Sequence, residues 1–225
     1  MKKRSIYIMV SVLLLALAVC YTDAVIQPNY VIKSIIKIIF YLLIPMIYFL
    51  FNKDEFDDFK KLFSFKVGDL KKTFLLAIIV YLCIVGGYFL VRNFIDFSHV
   101  TGNLLNNMGI NADNFLYVTI YIAFLNSFLE EFFYRGYAFI TLKKHIDRKI
   151  AYFFSALVFA FYHIGMILES FVFPDILLII FGLIFGGCVF NYLNEKSNNI
   201  YPSWIVHMFT NFGINTVGFI LFSIM

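Results

Sequence analysis

The residues of this sequence that could do chemistry lie in three stretches whose other residues are largely apolar. In each stretch the polar side chains are spaced so that a helix would hold them close together. These residues, with one aromatic neighbour, are Glu130, Glu131, Arg135, Phe159, His163, His207 and Asn211. Carboxylates and imidazoles activate water for hydrolysis, either alone or through a bound metal ion.

Glu130 and Glu131 are adjacent, but helical geometry separates their roles. Glu131 and Arg135 are four residues apart on one helix face with the Glu first, which is the order that favours an ion pair. Glu130 points about 100° away, with Asn126 one turn before it and Tyr134 one turn after it. We therefore predict that Glu131 and Arg135 form a supporting ion pair and that Glu130 is available for catalysis.

Two mechanisms fit one Glu and two His. In the first, Glu130, His163 and His207 bind zinc, which leaves a position for a water whose pKa falls to about 7. In the second, Glu130 acts without a metal as general base on a water that His163 helps to orient, and His207 and Asn211 donate hydrogen bonds to the oxyanion. Both mechanisms hydrolyse an acyl bond, most naturally a peptide bond. The His and Asn side chains have a simpler alternative role, since polar side chains also hydrogen-bond between membrane helices.

The composition is that of a membrane protein. Of the 225 residues, 62% are hydrophobic and 14% are charged, whereas a soluble domain carries roughly a quarter charged residues. The apolar runs are long enough to cross a bilayer as helices, and they do not alternate as barrel strands do. We predict an all-α, polytopic transmembrane helix bundle of about seven spans. The predicted spans are Ser5–Tyr21, Val31–Phe51, Thr73–Val91, Phe115–Leu142, Ile150–Leu168, Ile176–Leu193 and Tyr201–Met225.

The basic residues indicate membrane orientation rather than a nucleic-acid partner, because they cluster at the ends of the predicted spans. They are concentrated before the first span, in the Asn52–Lys72 loop and in the Lys143–Lys149 loop. The positive-inside rule places these segments, and with them the N-terminus, in the cytoplasm. The first span is expected to stay as an uncleaved anchor. Lys33 and Lys37, one turn apart near the outer end of the second span, are expected to snorkel to the interface.

The depths of the polar residues predict a shared site. Counted from the predicted inner helix ends at 1.5 Å per residue, His163 lies about 20 Å and His207 about 9 Å into the membrane. Glu130 lies past the centre of its helix, towards the cytoplasm. These depths overlap within helix tilt. We therefore expect Glu130, both His residues and Asn211 to line one cavity in the inner half of the membrane.

The three stretches also carry a family resemblance. In order along the chain, they match the patterns EExxxR (Glu130 to Arg135), FxxxH (Phe159 to His163) and HxxxN (His207 to Asn211). Together they resemble the CPBP family of CAAX proteases and bacteriocin-processing enzymes, also called the Abi family. The resemblance covers roughly the C-terminal half of the chain.

The resemblance implies an intramembrane endopeptidase whose site is reached from the cytoplasmic side. The implied catalytic residues are Glu130, His163, His207 and Asn211, and the implied supporting residues are Glu131, Arg135 and Phe159. We interpret Phe159 as a packing wall that keeps the site dry. Residues 1–114 would hold N-terminal transmembrane helices and a cytoplasmic loop, and residues 115–225 would form a CAAX-protease-like catalytic core.

The cofactor, the substrate and two other functions stay open. Members of the family are described both as metalloproteases and as glutamate-dependent proteases. We favour the metal-free mechanism, because Asn211 is a better oxyanion donor than zinc ligand. The short loops are typical of a protein of the bacterial plasma membrane, and the expected substrate is a hydrophobic or membrane-associated peptide or protein, in bacteriocin immunity or peptide maturation. The alternatives are a non-catalytic membrane scaffold or immunity protein and a proton-coupled transporter. The sequence does not indicate an oligomeric state.

Overall fold

The computed structural model describes residues 2–64, 70–106, 109–168 and 170–224, and within these ranges it contains helices and no β-strand. Seven of the helices are long and apolar enough to cross a membrane, which confirms the predicted fold class. All but the short α3 and α5 are of spanning length. In chain order the helices are α1 (Lys3–Ile26), α2 (Tyr30–Phe51), α3 (Lys53–Lys61), α4 (Lys71–Val91), α5 (Ser98–Asn106), α6 (Phe115–Lys144), α7 (Arg148–Ile167), α8 (Phe173–Ser197) and α9 (Tyr201–Leu221).

The two short helices lie in segments that were expected to be loops. Helix α3 has two acidic residues in its first turn and two lysines in its last turn, which complements the helix dipole at both ends. Helix α5 lies in the connection between α4 and α6. Lys66, one of the basic residues used for the predicted orientation, lies outside the described residues.

Helix α6 is the centre of the bundle. Every side chain from Glu131 to Thr141 is buried, and a helix that is enclosed on all sides must be covered by other helices. Large apolar side chains on the surrounding helices are exposed, Leu14 and Leu90 among them, as expected for surfaces that face lipid. The polar side chains of α6 therefore point at neighbouring helices and not at the bilayer.

Three tyrosines join α2, α6 and α7 beside the predicted site. The hydroxyls of Tyr41 and Tyr134 are 2.7 Å apart, and the ring of Tyr134 stacks on that of Tyr162 with centroids 5.3 Å apart. All three side chains are fully buried. Because buried tyrosines are fixed by both ring packing and a hydroxyl partner, this cluster sets the position of Tyr162.

π-helical stretches interrupt α2 and α6, and another ends α1. The interrupting stretches cover Ile39–Leu43, Ile122–Asn126 and Glu131–Thr141, so the two in α6 lie on either side of Glu130. Such stretches are frequent at functional sites, and they change the direction of the side chains that follow. Tyr134 accordingly pairs with α2 instead of lying against Glu130.

A glycine allows α1 and α7 to approach each other closely. A Cβ atom on Gly165 would lie 2.5 Å from the carbonyl oxygen of Cys20 and 3.3 Å from Cβ of Asp23. No larger residue fits here without a shift of backbone. Gly165 therefore fixes the end of α1, with Asp23, beside the end of α7.

The helix ends on the basic side are held together by Glu55 of α3. Its carboxylate accepts a hydrogen bond from Tyr48 at 2.9 Å, lies 2.8 Å from Nε2 of His145 and lies 3.2 Å from a guanidinium nitrogen of Arg4. On the same side, the N–H that precedes α9 donates to the carbonyl of Leu62. The residues just after α3 therefore lie against the start of α9.

Candidate active site

The four residues predicted to be catalytic line one cavity of about 280 Å³ between α2, α6, α7 and α9. These residues are Glu130, His163, His207 and Asn211. Glu130 and His207 are almost fully buried. The predicted convergence on one cavity is therefore observed, whereas the catalytic roles stay predictions.

The two oxygens of Glu130 have different surroundings. Oε1 accepts hydrogen bonds from Nδ2 of Asn126 at 2.7 Å and from the hydroxyl of Tyr162, and it lies 3.5 Å from Nζ of Lys37. Oε2 lies 3.7 Å from Nε2 of His207, which is too long for a direct hydrogen bond. The carboxylate is thus held through one oxygen, and the other faces the imidazole across a gap.

The expectation that Lys33 and Lys37 snorkel to the interface is wrong. Both side chains are buried, and both pair with carboxylates inside the bundle: Lys33 with Asp23 at 3.3 Å and Lys37 with Glu130 at 3.5 Å. An ammonium group is costly to bury unless it is paired. These two lysines are therefore paired with carboxylates next to the cavity, and they do not anchor α2 at the membrane surface.

Glu131 and Arg135 form the ion pair that their spacing predicts, with the nearest N and O atoms 3.4 Å apart. The guanidinium lies between the rings of Phe159 and Phe190, 4.1 Å and 4.9 Å from their centroids. Planar guanidinium groups stack well on aromatic faces. Phe159 therefore has a more specific position than a packing wall, because it covers the buried arginine.

Glu131 also orients His207. Its Oε1 lies 2.9 Å from Nδ1 of His207, so a proton on Nδ1 donates to this carboxylate and leaves Nε2 as an acceptor. His163 is held in a similar way, because its Nδ1 lies 2.7 Å from the carbonyl oxygen of Phe159. In both imidazoles these contacts are made by Nδ1, and Nε2 takes no part in them. Glu131, the partner of His207, belongs to the same EExxxR motif as Glu130.

Asn211 is held at the π-helical stretch of α6. Its Nδ2 donates to the carbonyl oxygen of Ile122 at 3.2 Å, and one of its two amide hydrogens is left over. Since Asn211 lines the cavity, this side chain is fixed by α6 and retains a donor for a second acceptor.

Comparison with known proteins gives one family match, which covers part of the chain. Residues 112–213 match the family model described as Rce1-like, type II CAAX prenyl endopeptidase. The matched segment includes the three motifs, with Glu130, His163, His207 and Asn211. This segment is similar to the CPBP family of intramembrane proteases, as its motifs predict. A search of the curated proteins and a search of the solved structures gave no significant match.

The match confirms the predicted resemblance, and it supports a CAAX-type endopeptidase within a membrane for the matched segment. Helices α1 and α2 lie outside the matched segment. Even so, Asp23, Lys33 and Lys37 from these helices line the same cavity as the CPBP motifs. The cavity is therefore built jointly by the CPBP segment and the N-terminal helices.

The cavity extends towards the bundle face opposite the basic loops. It is lined by Asn103 of α5 and by Ile110 and Ser170 of connecting segments, which lie at the bundle face opposite Glu55 and the basic loops. Access from the side of the basic loops stays a prediction. His163 lies one turn from the far end of α7, and α9 starts deep in the bundle, so counting from predicted helix ends misplaced the site.

Glu130, His163 and His207, the ligands of the zinc alternative, are not grouped as a set of three in this arrangement. Among the described residues, no group of three His, Cys, Asp or Glu side chains is placed to hold a metal ion. Oε1 of Glu130 is already engaged, and the ammonium of Lys37 lies beside it. A divalent ion bound to Glu130 would therefore meet a like charge at short range.

Sequence analysis missed two partners of Glu130, namely Lys37 and Tyr162. A lysine within an apolar span is itself a signal, because such residues usually pair inside the bundle or line a polar cavity. Tyr162 directly precedes His163 in the FxxxH motif, but nothing in the spacing indicates that its hydroxyl reaches Glu130. Asn126 was predicted one turn before Glu130, and it donates a hydrogen bond there.

Proposed function

We propose that this protein is an endopeptidase that hydrolyses a peptide bond of a hydrophobic or membrane-associated substrate, using a water activated by Glu130. The unequal surroundings of the two Glu130 oxygens carry the proposal. Three groups hold Oε1, whereas Oε2 faces Nε2 of His207 at 3.7 Å. A carboxylate fixed in this way keeps one oxygen ready to accept a proton from water.

The proposed water lies between Oε2 of Glu130 and Nε2 of His207. With the Nδ1 proton of His207 donated to Glu131, Nε2 is an acceptor, and the two acceptors would hold both hydrogens of the water. Its lone pair would then point at a substrate carbonyl in the cavity. His207 takes the role of a water-orienting residue in this proposal, instead of the oxyanion donor expected at first. His163 helps to orient the same water.

The proposed reaction has two steps, and every bond and proton is accounted for in each. In the first, the water oxygen bonds to the carbonyl carbon, Glu130 takes one water proton, and the carbonyl π electrons move to oxygen. The free amide hydrogen of Asn211 stabilises this oxyanion. In the second, the carbonyl re-forms, the C–N bond breaks, and Glu130 returns the proton to the leaving nitrogen. The products are a carboxylic acid and an amine.

We propose that no metal ion takes part. Lys37 supplies the positive charge beside Glu130, and its side chain is fixed by a hydrogen bond of 3.0 Å to Oδ1 of Asn126. The pair therefore lies in the membrane interior without net charge, which avoids the cost of a single buried charge.

We propose that the protein lies in a bacterial plasma membrane with its N-terminus in the cytoplasm, as its basic segments indicate. In that orientation the end of the cavity that α5 and the connecting segments line lies towards the outer face. A peptide that arrives from outside, such as a bacteriocin, or a membrane-anchored segment at the outer surface could then enter it. Immunity and the maturation of exported peptides are the roles that fit this direction of access.

The test is cleavage of a quenched hydrophobic peptide library by the purified protein in detergent. Wild type, Glu130→Gln, a chelator-treated sample and the control Glu195→Gln are compared. Glu195 is a carboxylate paired with Arg148 at the other end of the bundle, so its removal should not affect cleavage. We expect activity in all samples except Glu130→Gln.

Other outcomes point to the alternatives. Activity lost on chelation and restored by zinc would show a metalloprotease and contradict the metal-free proposal. No cleavage by wild type, together with unchanged cellular function of Glu130→Gln, would favour a non-catalytic scaffold or immunity protein. Proton-coupled uptake into liposomes would favour a transporter.

A further inference from the structure

The part of the cavity away from Glu130 contains two polar atoms that lack partners. Oδ2 of Asp23 and the hydroxyl of Tyr121 are buried and have no hydrogen-bond partner among the described residues. Both side chains line the same cavity as Glu130. Buried polar groups are nearly always hydrogen-bonded, so an unpaired acceptor and an unpaired hydroxyl in one cavity call for an explanation.

Only one of the two carboxylate oxygens of Asp23 has a partner among the described residues. Lys33 lies 3.3 Å from Oδ1, and the Asp23 side chain is 3% exposed. The close approach at Gly165 fixes the backbone there, so Oδ2 cannot turn to solvent without moving α1. Since Asp23 lines the cavity, a group bound there is the partner available to Oδ2.

The charges in the cavity are balanced without a ligand. Asp23 pairs with Lys33, and Glu130 pairs with Lys37. A charged chain end that entered would leave an unpaired charge in a region of low dielectric constant, whereas a neutral peptide group would not. The cavity is therefore suited to an internal part of a peptide, with its backbone N–H and carbonyl groups.

The distance between Asp23 and Glu130 follows from the spacing of their lysine partners on α2. Lys33 and Lys37 are four residues apart on one helix, which corresponds to about 6 Å. An extended peptide advances about 3.3 Å per residue. A chain whose scissile bond lies at Glu130 would therefore place its second residue from that bond near Asp23.

We propose that Asp23 and Tyr121 form a substrate subsite that binds an uncharged backbone amide about two residues from the scissile bond. Oδ2 of Asp23 accepts the backbone N–H, and the hydroxyl of Tyr121 donates to a carbonyl oxygen. Lys33 pairs with the other oxygen of Asp23 and holds the carboxylate in place. The inference rests on the proposed peptidase function, and it implies that substrates with blocked termini bind as well as those with free termini.

Binding can be measured apart from cleavage in the Glu130→Gln variant of the full chain. The probe is a fluorescent hydrophobic peptide from the library, acetylated and amidated, which is one that wild type cleaves where the library contains such a peptide. Its affinity is measured by anisotropy in detergent. Adding Tyr121→Phe should weaken binding roughly 3–10-fold, the effect of one neutral hydrogen bond. Adding Asp23→Ala with Lys33→Met, which removes both charges together, should weaken it on the order of 10-fold. Tyr81→Phe, which removes a hydroxyl paired with Thr216, is the matched control and should not change affinity.

N-methylation of the peptide locates the contact. Peptides that carry one N-methyl group remove one backbone N–H at a time, and we expect the position two residues from the scissile bond to lose the most affinity. That loss should disappear in the variant that lacks Asp23 and Lys33. A loss that persists there, or an affinity that requires a free charged terminus, would overturn the subsite.

The two proposals fail in different ways. Peptide binding that depends on Asp23 and Tyr121, without cleavage by wild type, would retain the subsite and contradict the peptidase. Cleavage by wild type with unchanged affinity in the Asp23 and Tyr121 variants would retain the peptidase and contradict the subsite. No binding to the Glu130→Gln parent would also contradict the subsite.

Discussion

Nζ of Lys37 lies 3.5 Å from Oε1 of Glu130 and 3.0 Å from Oδ1 of Asn126, and all three side chains are buried. Lys37 belongs to α2, outside the segment 112–213 that matches the CPBP family. The ion pair therefore joins the N-terminal helices to the helix of the first motif. The division into residues 1–114 and 115–225 stays a prediction, but the cavity needs side chains from both parts.

Lys37→Met should destabilise the protein by roughly 3–5 kcal/mol, because it leaves the Glu130 carboxylate buried without its cation. Chemical denaturation in detergent would measure the change in unfolding free energy. The double variant Lys37→Met/Glu130→Gln should recover much of the loss, since neither charge is then unpaired. Lys60→Met, at an exposed position, is the control. If the losses of unfolding free energy in the two single variants simply add in the double variant, the result would argue against the ion pair.

Glu131→Gln should lower the yield of folded protein more than Glu130→Gln does. Glu131 faces the fully buried Arg135 and orients His207, so its loss leaves a guanidinium without a carboxylate. After Glu130→Gln, the ammonium of Lys37 keeps its bond to Asn126. Size-exclusion chromatography and thermal unfolding would compare the two variants. Equal yields would contradict this division of roles.

Gly165→Ala should destabilise the protein by roughly 1–3 kcal/mol, because the added Cβ would lie 2.5 Å from the carbonyl of Cys20 and would force α1 away from α7. It should also weaken binding of the peptide probe, since Asp23 moves with α1. Gly182→Ala is the control, because a Cβ there meets no atom within 4 Å. Equal melting temperatures for the Gly165→Ala and Gly182→Ala variants would show that α1 and α7 can separate without cost.

The side of access can be tested by cysteine labelling in intact cells. In a background without Cys20, Cys83 and Cys188, we expect a cysteine at Asp113 to react with a membrane-impermeant maleimide from outside. A cysteine at Lys144 should react only after permeabilisation. Both positions are exposed and lie on opposite faces of the bundle. The reverse pattern would place the cavity on the cytoplasmic side and contradict the proposed direction of substrate entry.

The sequence was sufficient for features that depend on local spacing and on hydropathy. The seven spans follow from apolar runs of bilayer length, and the pair Glu131–Arg135 follows from residues one helical turn apart. The convergence of the three motifs on one cavity was also predictable. Their order and their positions in the spans indicated it, and the family match supports it.

The partners of Glu130 and the depth of the site were not predictable in this way. Hydropathy gives the cost of burying Lys37 but not the rotation of α2 that turns it towards Glu130. Depth was counted as if all inner helix ends lay at one level, whereas Trp204 in the first turn of α9 donates to the carbonyl of Phe124, well inside α6. The π-helical stretches beside Glu130 also shift side-chain directions away from the 3.6-residue period.

The pair formed by Asp23 and Lys33 has a consequence for biogenesis. The two residues are close in sequence and meet across the turn between α1 and α2, so a nascent hairpin of these helices can enter the bilayer with opposite charges already matched. Among the described residues, the carboxylate paired with Lys37 is that of Glu130, which is synthesised only after α4 and α5. The full integration of α2 is thereby coupled to the arrival of α6 from the ribosome.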